Sequence, residues 1–595
     1  MNPFKIAKFT TIATVAALAT ATFAATPIRV EAENAIPADD HEAKIVKDEK
    51  ASGGSYVDMG SGNLLFTVDM PADGFYTLYI NYLLPSDRSE KTQNLTVNGA
   101  SAGQITFGMT DELKTIKGAG KIKLSKGKNT IGIVKSWGWV IVDYIEIAEY
   151  EKTPFNISPK PVTPEPTESA QKLYNFLYTN FGKRTISGVM TDKNFLEDGK
   201  YTTCDYTNQT ELSYIHKSSG KNVALVGFDF MHSTGKNSEE LWYNGYTHAS
   251  LDLAKNVWKA GGIPAFNWHW KDPLKEVEAF YTESSNNTPF TTFSIGKAYD
   301  VSTKKWKTDS DAYKAIVRDM GIVADSLLTL QKEGVALLWR PLHEASGKWF
   351  WWGTDGAEAC VALYKLMFDI FVNQKGLHNL IWVWTTDEAP DALDWYPGDD
   401  YVDVVGRDYY YYPREENHAS LVSSFEKVKE MYGAKKIVTL SENGSVPYPD
   451  SMKADGANWS WFMPWYGEYT LESWAHDNTA ESWKTVMNNE YIITLEDMPG
   501  WDKYKIEEDH TTGIKSNLFT SKQAATVSMA GNKLQINLPG VSTATVSIFD
   551  MQGNLVLNHT INASSSLSTN NLAAGQYIVK IQGQKFTQCL KIHVF

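Results

Sequence analysis

Two glutamates close apolar runs in settings rich in groups that could do chemistry. Glu344 follows VALLWRPLH (335–343), and Glu442 ends the run KIVTLSEN (436–443). A protonated carboxyl and an ionised one, brought to roughly 5 Å across a sugar ring, can cleave a glycosidic bond with retention: one donates to the leaving oxygen and the other attacks the anomeric carbon. The stretch RPLHEASGKWFWWG (340–353) surrounds the first glutamate with Arg340, His343, Trp349, Phe350, Trp351 and Trp352. Arg340 can pair with carboxylates at the strand end and keep Glu442 charged, while rings around Glu344 raise its pKa by removing water. Aromatic faces also suit the apolar faces of sugars. Trp351 and Trp352 are chain neighbours and must diverge, so at least one is expected to be packing. A single glutamate after a strand is ordinarily an ion-pair partner; it is the pair, each in an aromatic neighbourhood, that favours catalysis.

Such residues need a scaffold that gathers strand ends. Between residues 168 and 505, eight apolar runs end in polar residues: 184–190, 223–230, 262–270, 335–343, 380–387, 402–410, 436–443 and 459–467. Helical patterns alternate with them, two of the clearest (311–334 and 362–376) closing on Gly334 and Gly376. This predicts a (β/α)8 TIM barrel, with polar residues collected at the C-terminal ends of its strands.

The rest of the chain divides around that core. Residues 1–25 carry Lys5 and Lys8, an apolar stretch and small residues, the pattern of a secretory signal peptide. Residues 27–150 alternate in short strands with Gly, Asn and Asp turns, which predicts an N-terminal β-sandwich. The stretch 151–167 is proline-rich and is expected to be a semi-rigid linker with few contacts across it. Residues 520–595 alternate again, with few aromatics, and predict a small C-terminal β-sandwich-like domain. The formal net charge of −14 leaves no basic surplus for nucleic acid. Cys204, Cys360 and Cys589 form no CxxC pair, so neither a disulfide framework nor a zinc site is expected. Aromatics reach 13% of residues, which in an acidic, exported chain suits neutral polyhydroxylated ligands. Glu31 and Glu33 are two apart, so on a strand they would point the same way; Trp137 and Trp139 flank a glycine in KSWGWV (135–140) as loop platforms or as core.

Three resemblances sharpen these readings. WRPLHEASGKWFWWG and SENG resemble the two signatures of glycoside hydrolase family 26, best known for endo-β-1,4-mannanases, and the likeness extends over most of 168–500. It implies Glu344 as acid/base, Glu442 as nucleophile, and no cofactor for catalysis. His343 stands where many glycosidases of the same clan have Asn; with Trp349 it lines the cleft. Asp408 and Tyr410 in GRDYYYY, Trp465, Arg340 and His269 in NWHW fall at substrate-contacting positions, Tyr410 holding Glu442 by a hydrogen bond. VEAENA, LTVNG and VDYIEI resemble a family 35 carbohydrate-binding module, which implies calcium at Glu31, Glu33 and Asp143 and ligand platforms at Trp137 and Trp139. SIFDMQGNLV and NLAAGQYIVKI look like a type A sorting domain of the type IX secretion pathway, which implies an extracellular or surface-attached protein and the secretion machinery as partner. Together they imply a secreted retaining mannanase acting on plant β-mannan. The same barrel acting on a β-glucan or xylan, and a non-catalytic polysaccharide-binding surface protein, are the alternatives.

Overall fold

The computed structural model describes residues 27–506, apart from 87–88, 199–200, 283–288, 413 and 475, and most of 526–594. The expected leader, residues 1–25, and the first residues of the expected tail domain, 520–525, lie outside the described residues.

The N-terminal part is a sandwich of two antiparallel sheets. One has the order Lys44–Lys47, Ser55–Asp58, Ile141–Glu149, Gly74–Leu84 and Thr110–Leu124, with Ile28–Glu31 also paired to Ile141–Glu149. The other runs Leu64–Met70, Gly127–Trp137, Lys91–Val97 and Ala100–Phe107. Strict alternation drives it: along Leu64–Met70 every second side chain is buried, and Phe66, Leu78, Ile80, Leu95, Ile131 and Val142 fill the space between the sheets.

The barrel follows. Seven parallel strands lie in chain order: Gly188–Met190, Leu225–Asp229, Ile263–Asn267, Leu337–Arg340, Leu380–Thr386, Val404–Tyr409 and Ile437–Asn443. Their residues are buried almost throughout, as parallel strands covered by helices require. The eighth apolar run forms no regular strand. It closes the ring through irregular hydrogen bonds on both sides: Ser460 N–H donates to the Val438 carbonyl (2.9 Å) and Trp465 N–H to that of Asn443 (3.0 Å), while Ile186 N–H donates to Ser460 (2.9 Å) and Met190 N–H to Pro464 (2.9 Å). Pro464 has no N–H to give, and this interrupts an ordinary ladder. Helix Asp311–Lys332 starts on Ser310, whose hydroxyl accepts from Tyr313 N–H at 3.1 Å, and is followed by Gly334 at φ 72°. Ten of the 20 tryptophans are fully buried, so much of the aromatic content serves the core rather than a ligand.

The stretch 151–167 differs from the spacer its prolines suggest. Phe155 packs edge-on to Phe181 (4.9 Å) and Phe425 (6.2 Å), and Val162 N–H donates to Asp403 Oδ1 at 2.7 Å. Beside it, the sandwich strand Thr110–Leu124 lies directly against helix Val422–Met431. Gly120 allows this approach, since a Cβ there would come within 3.2 Å of Glu426 Cβ. Lys121, Glu426 and Lys429 are buried together at the junction; Lys429 donates to Glu426 at 2.9 Å, Lys121 lies 3.9 Å from the same carboxylate, and Ser423 Oγ donates to the Lys121 carbonyl at 3.2 Å. Lys117 pairs with Glu430 at 2.7 Å on the rim.

Among its described residues, the second unit, Glu507–Phe595, has only β-strands as regular elements. A three-stranded sheet (Thr526–Ala530, Lys533–Asn537, Ser565–Ser568) and a four-stranded one (Leu555–Ile561, Ala544–Phe549, Gly575–Gly583, Thr587–Val594) enclose Leu534, Val546, Ile548, Val579 and Ile581.

Candidate active site

The strand ends converge on Arg340. Its guanidinium is buried and donates through Nη1 to Asp408 Oδ2 (2.8 Å) and Thr385 Oγ1 (3.2 Å), and through Nη2 to Glu442 Oε2. Burial alone would lower its pKa, but Asp408 and Glu442 override that and hold it above its ordinary value. Glu442 also accepts from the Tyr410 hydroxyl at 2.6 Å, and Asp408 from Ser441 Oγ at 2.6 Å. A register shift between Arg407 and Asp408 sets Asp408 directly opposite Glu442. Gly406 makes room for this, since a Cβ would meet Ser441 Oγ at 2.2 Å.

Glu344 is placed by a strained turn. Leu342 and Glu344 have φ of 52° and 54°, left-handed values that cost non-glycine residues about 1–3 kcal/mol each. Trp349 Nε1 donates to Glu344 Oε2 at 3.1 Å, and its ring lies so close over Gly347 that a Cβ there would meet it at 1.9 Å. Oxygens of Glu344, Asp408 and Glu442 all lie within 4.8 Å of one another. Arg340 already supplies a cation to two of the three. Glu344 remains partly open to the cleft, yet loss of water around its carboxyl, with Asp408 and Glu442 nearby, pushes its pKa well above the ordinary range. Burial raises Glu442 too, against the pull of Arg340 and the Tyr410 hydrogen bond. The proton therefore favours Glu344, and the charge Glu442.

His343 and His269 form the adjoining wall. Their Nε2 atoms are 3.2 Å apart, and His269 Nδ1 lies 2.5 Å from Asp229 Oδ2, which also accepts from Asn267 Nδ2 at 3.2 Å. Burial, Arg340 and His269 lower the His343 pKa well below its ordinary value, so it is neutral. Trp465 packs against His269 at 5.5 Å. Of the four aromatics 349–352, only Trp349 is open; Phe350, Trp351 and Trp352 are buried, with Phe350 stacked on Trp352 at 4.5 Å. At least one of Trp351 and Trp352 was expected to be packing; both are, and Phe350 with them, which leaves Trp349 as the ring open to a ligand.

The fold thus brings Arg340, His343, Glu344, Trp349, Asp408, Tyr410, Glu442, His269 and Trp465 to one cleft. Asp229, Thr385 and Ser441 belong to the same network and were missed by sequence reasoning. Asp229 ends the second apolar run as Glu442 ends the seventh, and the same rule applied to every strand end would have found it.

The remaining candidates lie in the sandwich. Strand Ile28–Glu31 ends at Glu31, and Glu33 sits in the short turn Ala32–Asn34, so strand alternation does not relate the two. They meet at the turn Ser52–Gly54 instead: Ser52 Oγ donates to Glu31 Oε1 at 2.8 Å, and Ser52 N–H to both oxygens of Asp143 at 3.0 and 3.1 Å. The Oε2 atoms of Glu31 and Glu33 are shielded from solvent and have no protein partner. Burial, with Glu31 and Glu33 near, lifts Asp143 to about 6. Trp137 and Trp139 are exposed, at 58% and 42%, with the Lys91 ammonium 4.9 Å over the first and the Lys135 ammonium 6.0 Å over the second.

The model of glycosyl hydrolase family 26 matches residues 162–497, more than half of the chain. The chain belongs to glycosyl hydrolase family 26. Carbohydrate binding module family 35 matches residues 28–150, and a secretion system C-terminal sorting domain matches 530–594. Among its relatives, mannan endo-1,4-beta-mannosidase A of Piromyces sp is 33% identical over 463 residues, 76% of this chain and 70% of that protein. A solved β-mannanase from a symbiotic protist of the termite Reticulitermes speratus, complexed with gluco-manno-oligosaccharide, is 45% identical, covering 59% of this chain and all of that one at a TM-score of 0.53. A Podospora anserina β-(1,4)-mannanase that joins family 26 and family 35 domains is 29% identical, covering 80% of this chain and 99% of its own at a TM-score of 0.51.

Proposed function

We propose that the chain is a secreted endo-β-1,4-mannanase that cleaves mannan, glucomannan or galactomannan by double displacement. The observation that carries this is the Glu344–Glu442 pair, with carboxyl oxygens within 4.8 Å, in a family 26 barrel. Glu344 donates its proton to the glycosidic oxygen while the Glu442 carboxylate attacks the anomeric carbon, the C–O bond to the leaving sugar breaking as the new one forms. Glu344, now ionised, takes a proton from water, which attacks the same carbon and releases Glu442; two inversions give retention. Arg340 and Tyr410 hold the nucleophile charged, and Asp229 orients His269 and through it His343 along the sugar. Trp349 and Trp465 offer ring faces to the substrate. The reaction draws only on these side chains. Hydrolysis of mannan and glucomannan, with xylan and mixed-linkage glucan left intact, is the expected result of a polysaccharide panel; cleavage of xylan or mixed-linkage glucan in place of mannan would overturn the substrate.

The chain is secreted or surface-attached, the C-terminal sorting domain being its export element. An N-terminal signal peptide at 1–25 and recognition by the type IX machinery complete this reading. The modules are taken as 27–150, 151–167, 168–505 and 520–595. Among the described residues no helix is long and apolar enough to cross a membrane.

Glu31, Glu33 and Asp143 are the residues that would hold a calcium ion. They offer hard oxygens, two of them shielded and unpartnered, to a cation that takes six to eight. Bound calcium would offset the mutual repulsion of these neighbouring carboxylates, its two positive charges cancelling two of their three negative ones. A ligand that binds only the folded state stabilises it by mass action, so calcium should raise the melting temperature above that in chelator; identical melts would remove the metal. Trp137 and Trp139 then serve as the module's sugar platforms, and Trp137→Ala should weaken retardation in mannan gels.

A further inference from the structure

We propose that Trp474 forms the floor of an outer sugar subsite, fixed relative to the nucleophile by the loop that carries it. Trp474 is 73% exposed, the most open tryptophan of the chain. A single exposed ring is ordinary on a protein surface; what sets this one apart is that it is braced from below and linked by contacts to the nucleophile.

It is held still. Arg414 lies beneath it, its guanidinium carbon 5.4 Å from the Trp474 ring and 3.9 Å from the Tyr469 ring. The guanidinium itself is clamped by Asp477, which is buried, at 2.6 Å and by Glu468 at 2.9 Å. The loop is tied to the strand of the nucleophile: Asn478 Nδ2 donates to the carbonyls of Gly444 (2.9 Å) and Tyr469 (2.7 Å), and its Oδ1 accepts from Val446 N–H (2.9 Å). Tyr469 meets Tyr410 at 5.1 Å, and Tyr410 bonds Glu442. Glu442, Tyr410, Tyr469, Arg414 and Trp474 thus form one continuous path of contacts from the nucleophile out to the open ring.

The occupant follows from that path. A chain held at Glu442 and running outward along it meets an aromatic face whose position is already set, so stacking a pyranose there costs little ordering. The cation below the indole keeps the ring from collapsing onto the loop. The ligand is a β-linked hexopyranose chain, an identity that rests on the function proposed above; the site selects for its length.

The test compares the unaltered full chain with Trp474→Ala and Trp474→Phe on an aryl mannobioside, mannotetraose and mannohexaose. For Trp474→Ala the loss in kcat/KM should grow with chain length, reaching about three- to tenfold on the hexaose, the size of one aromatic contact. Trp474→Phe, which keeps a ring, should recover most of it. Loss equal at every length, or absent at every length, overturns the subsite while leaving the mannanase reading intact. Failure of the unaltered chain to cleave any of the three removes the function and the subsite together.

Discussion

With azide present, Glu344→Ala releases a β-glycosyl azide from an aryl mannobioside, and Glu442→Ala an α-azide. The two products differ because the carboxyls act on opposite faces of the same carbon. Without Glu344, an aryl leaving group of low pKa departs unaided, so the glycosyl-enzyme on Glu442 still forms. It then waits for a general base that is missing, and azide, which needs no deprotonation, attacks from the β face. Without Glu442 no covalent intermediate exists, and azide takes the nucleophile's place on the α face while Glu344 still protonates the leaving oxygen. On polysaccharide, whose leaving group needs the proton, Glu344→Ala loses about 10²- to 10⁴-fold in rate; without azide, Glu442→Ala fails on every substrate. Product configuration by NMR decides it. A β-azide from Glu442→Ala and none from Glu344→Ala would reverse the roles.

Arg340→Met gives the next largest effect, and its sign depends on pH. The arginine is the cation bonded to both Asp408 and Glu442, all three buried. Removing it leaves two buried carboxylates without compensation, a loss of about 3–5 kcal/mol at neutral pH. In the variant Glu442, already raised by burial, loses the arginine that opposed that shift and is raised further above its unfolded value. A raised group contributes stability below the unfolded value, near 4, and loses it as pH rises through the folded value. The deficit in melting temperature against the unaltered chain therefore narrows as pH falls from 7 towards 4. The comparison must be a difference, since Glu344 and Glu442 are already raised in the parent and shift its own curve the same way. A deficit that stays constant across this range would mean that Arg340 acts by packing rather than charge. Activity should fall with stability, because a protonated Glu442 cannot attack.

Both predictions rest on residues that could be read from the chain, and the reasons are local. A buried parallel strand is a run of apolar residues closed by polar ones, so seven of the eight runs coincide with strands and carry Arg340, Asp408 and Glu442 to one end. The eighth escapes because Pro464 and its neighbours pair irregularly, which period alone cannot reveal. Chain adjacency requires one of Trp351 and Trp352 to pack, but not both, and composition does not say which way a turn throws a side chain; both are buried. Asp229 was passed over because it acts through His269, at one remove from the reacting bond. Strand alternation would point Glu31 and Glu33 the same way, and a single short helical turn is enough to break that rule. In 151–167 the prolines drew notice, while Phe155 and Val162, which anchor the segment, did not.

The junction of strand Thr110–Leu124 with helix Val422–Met431 has a mechanical consequence. A binding module on a loose tether lets its enzyme sweep a volume around the anchoring point, with an effective concentration governed by tether length. Here the module is bolted to the helix that follows the sixth barrel strand, so grip and blade share one frame. Once the sandwich has seized an immobile polymer, the cleft can reach only bonds at a set offset from that grip. Progress along an insoluble fibre then requires letting go, and residence on the fibre becomes the clock for each new cut, whereas dissolved chains, free to bend into the cleft, escape that limit.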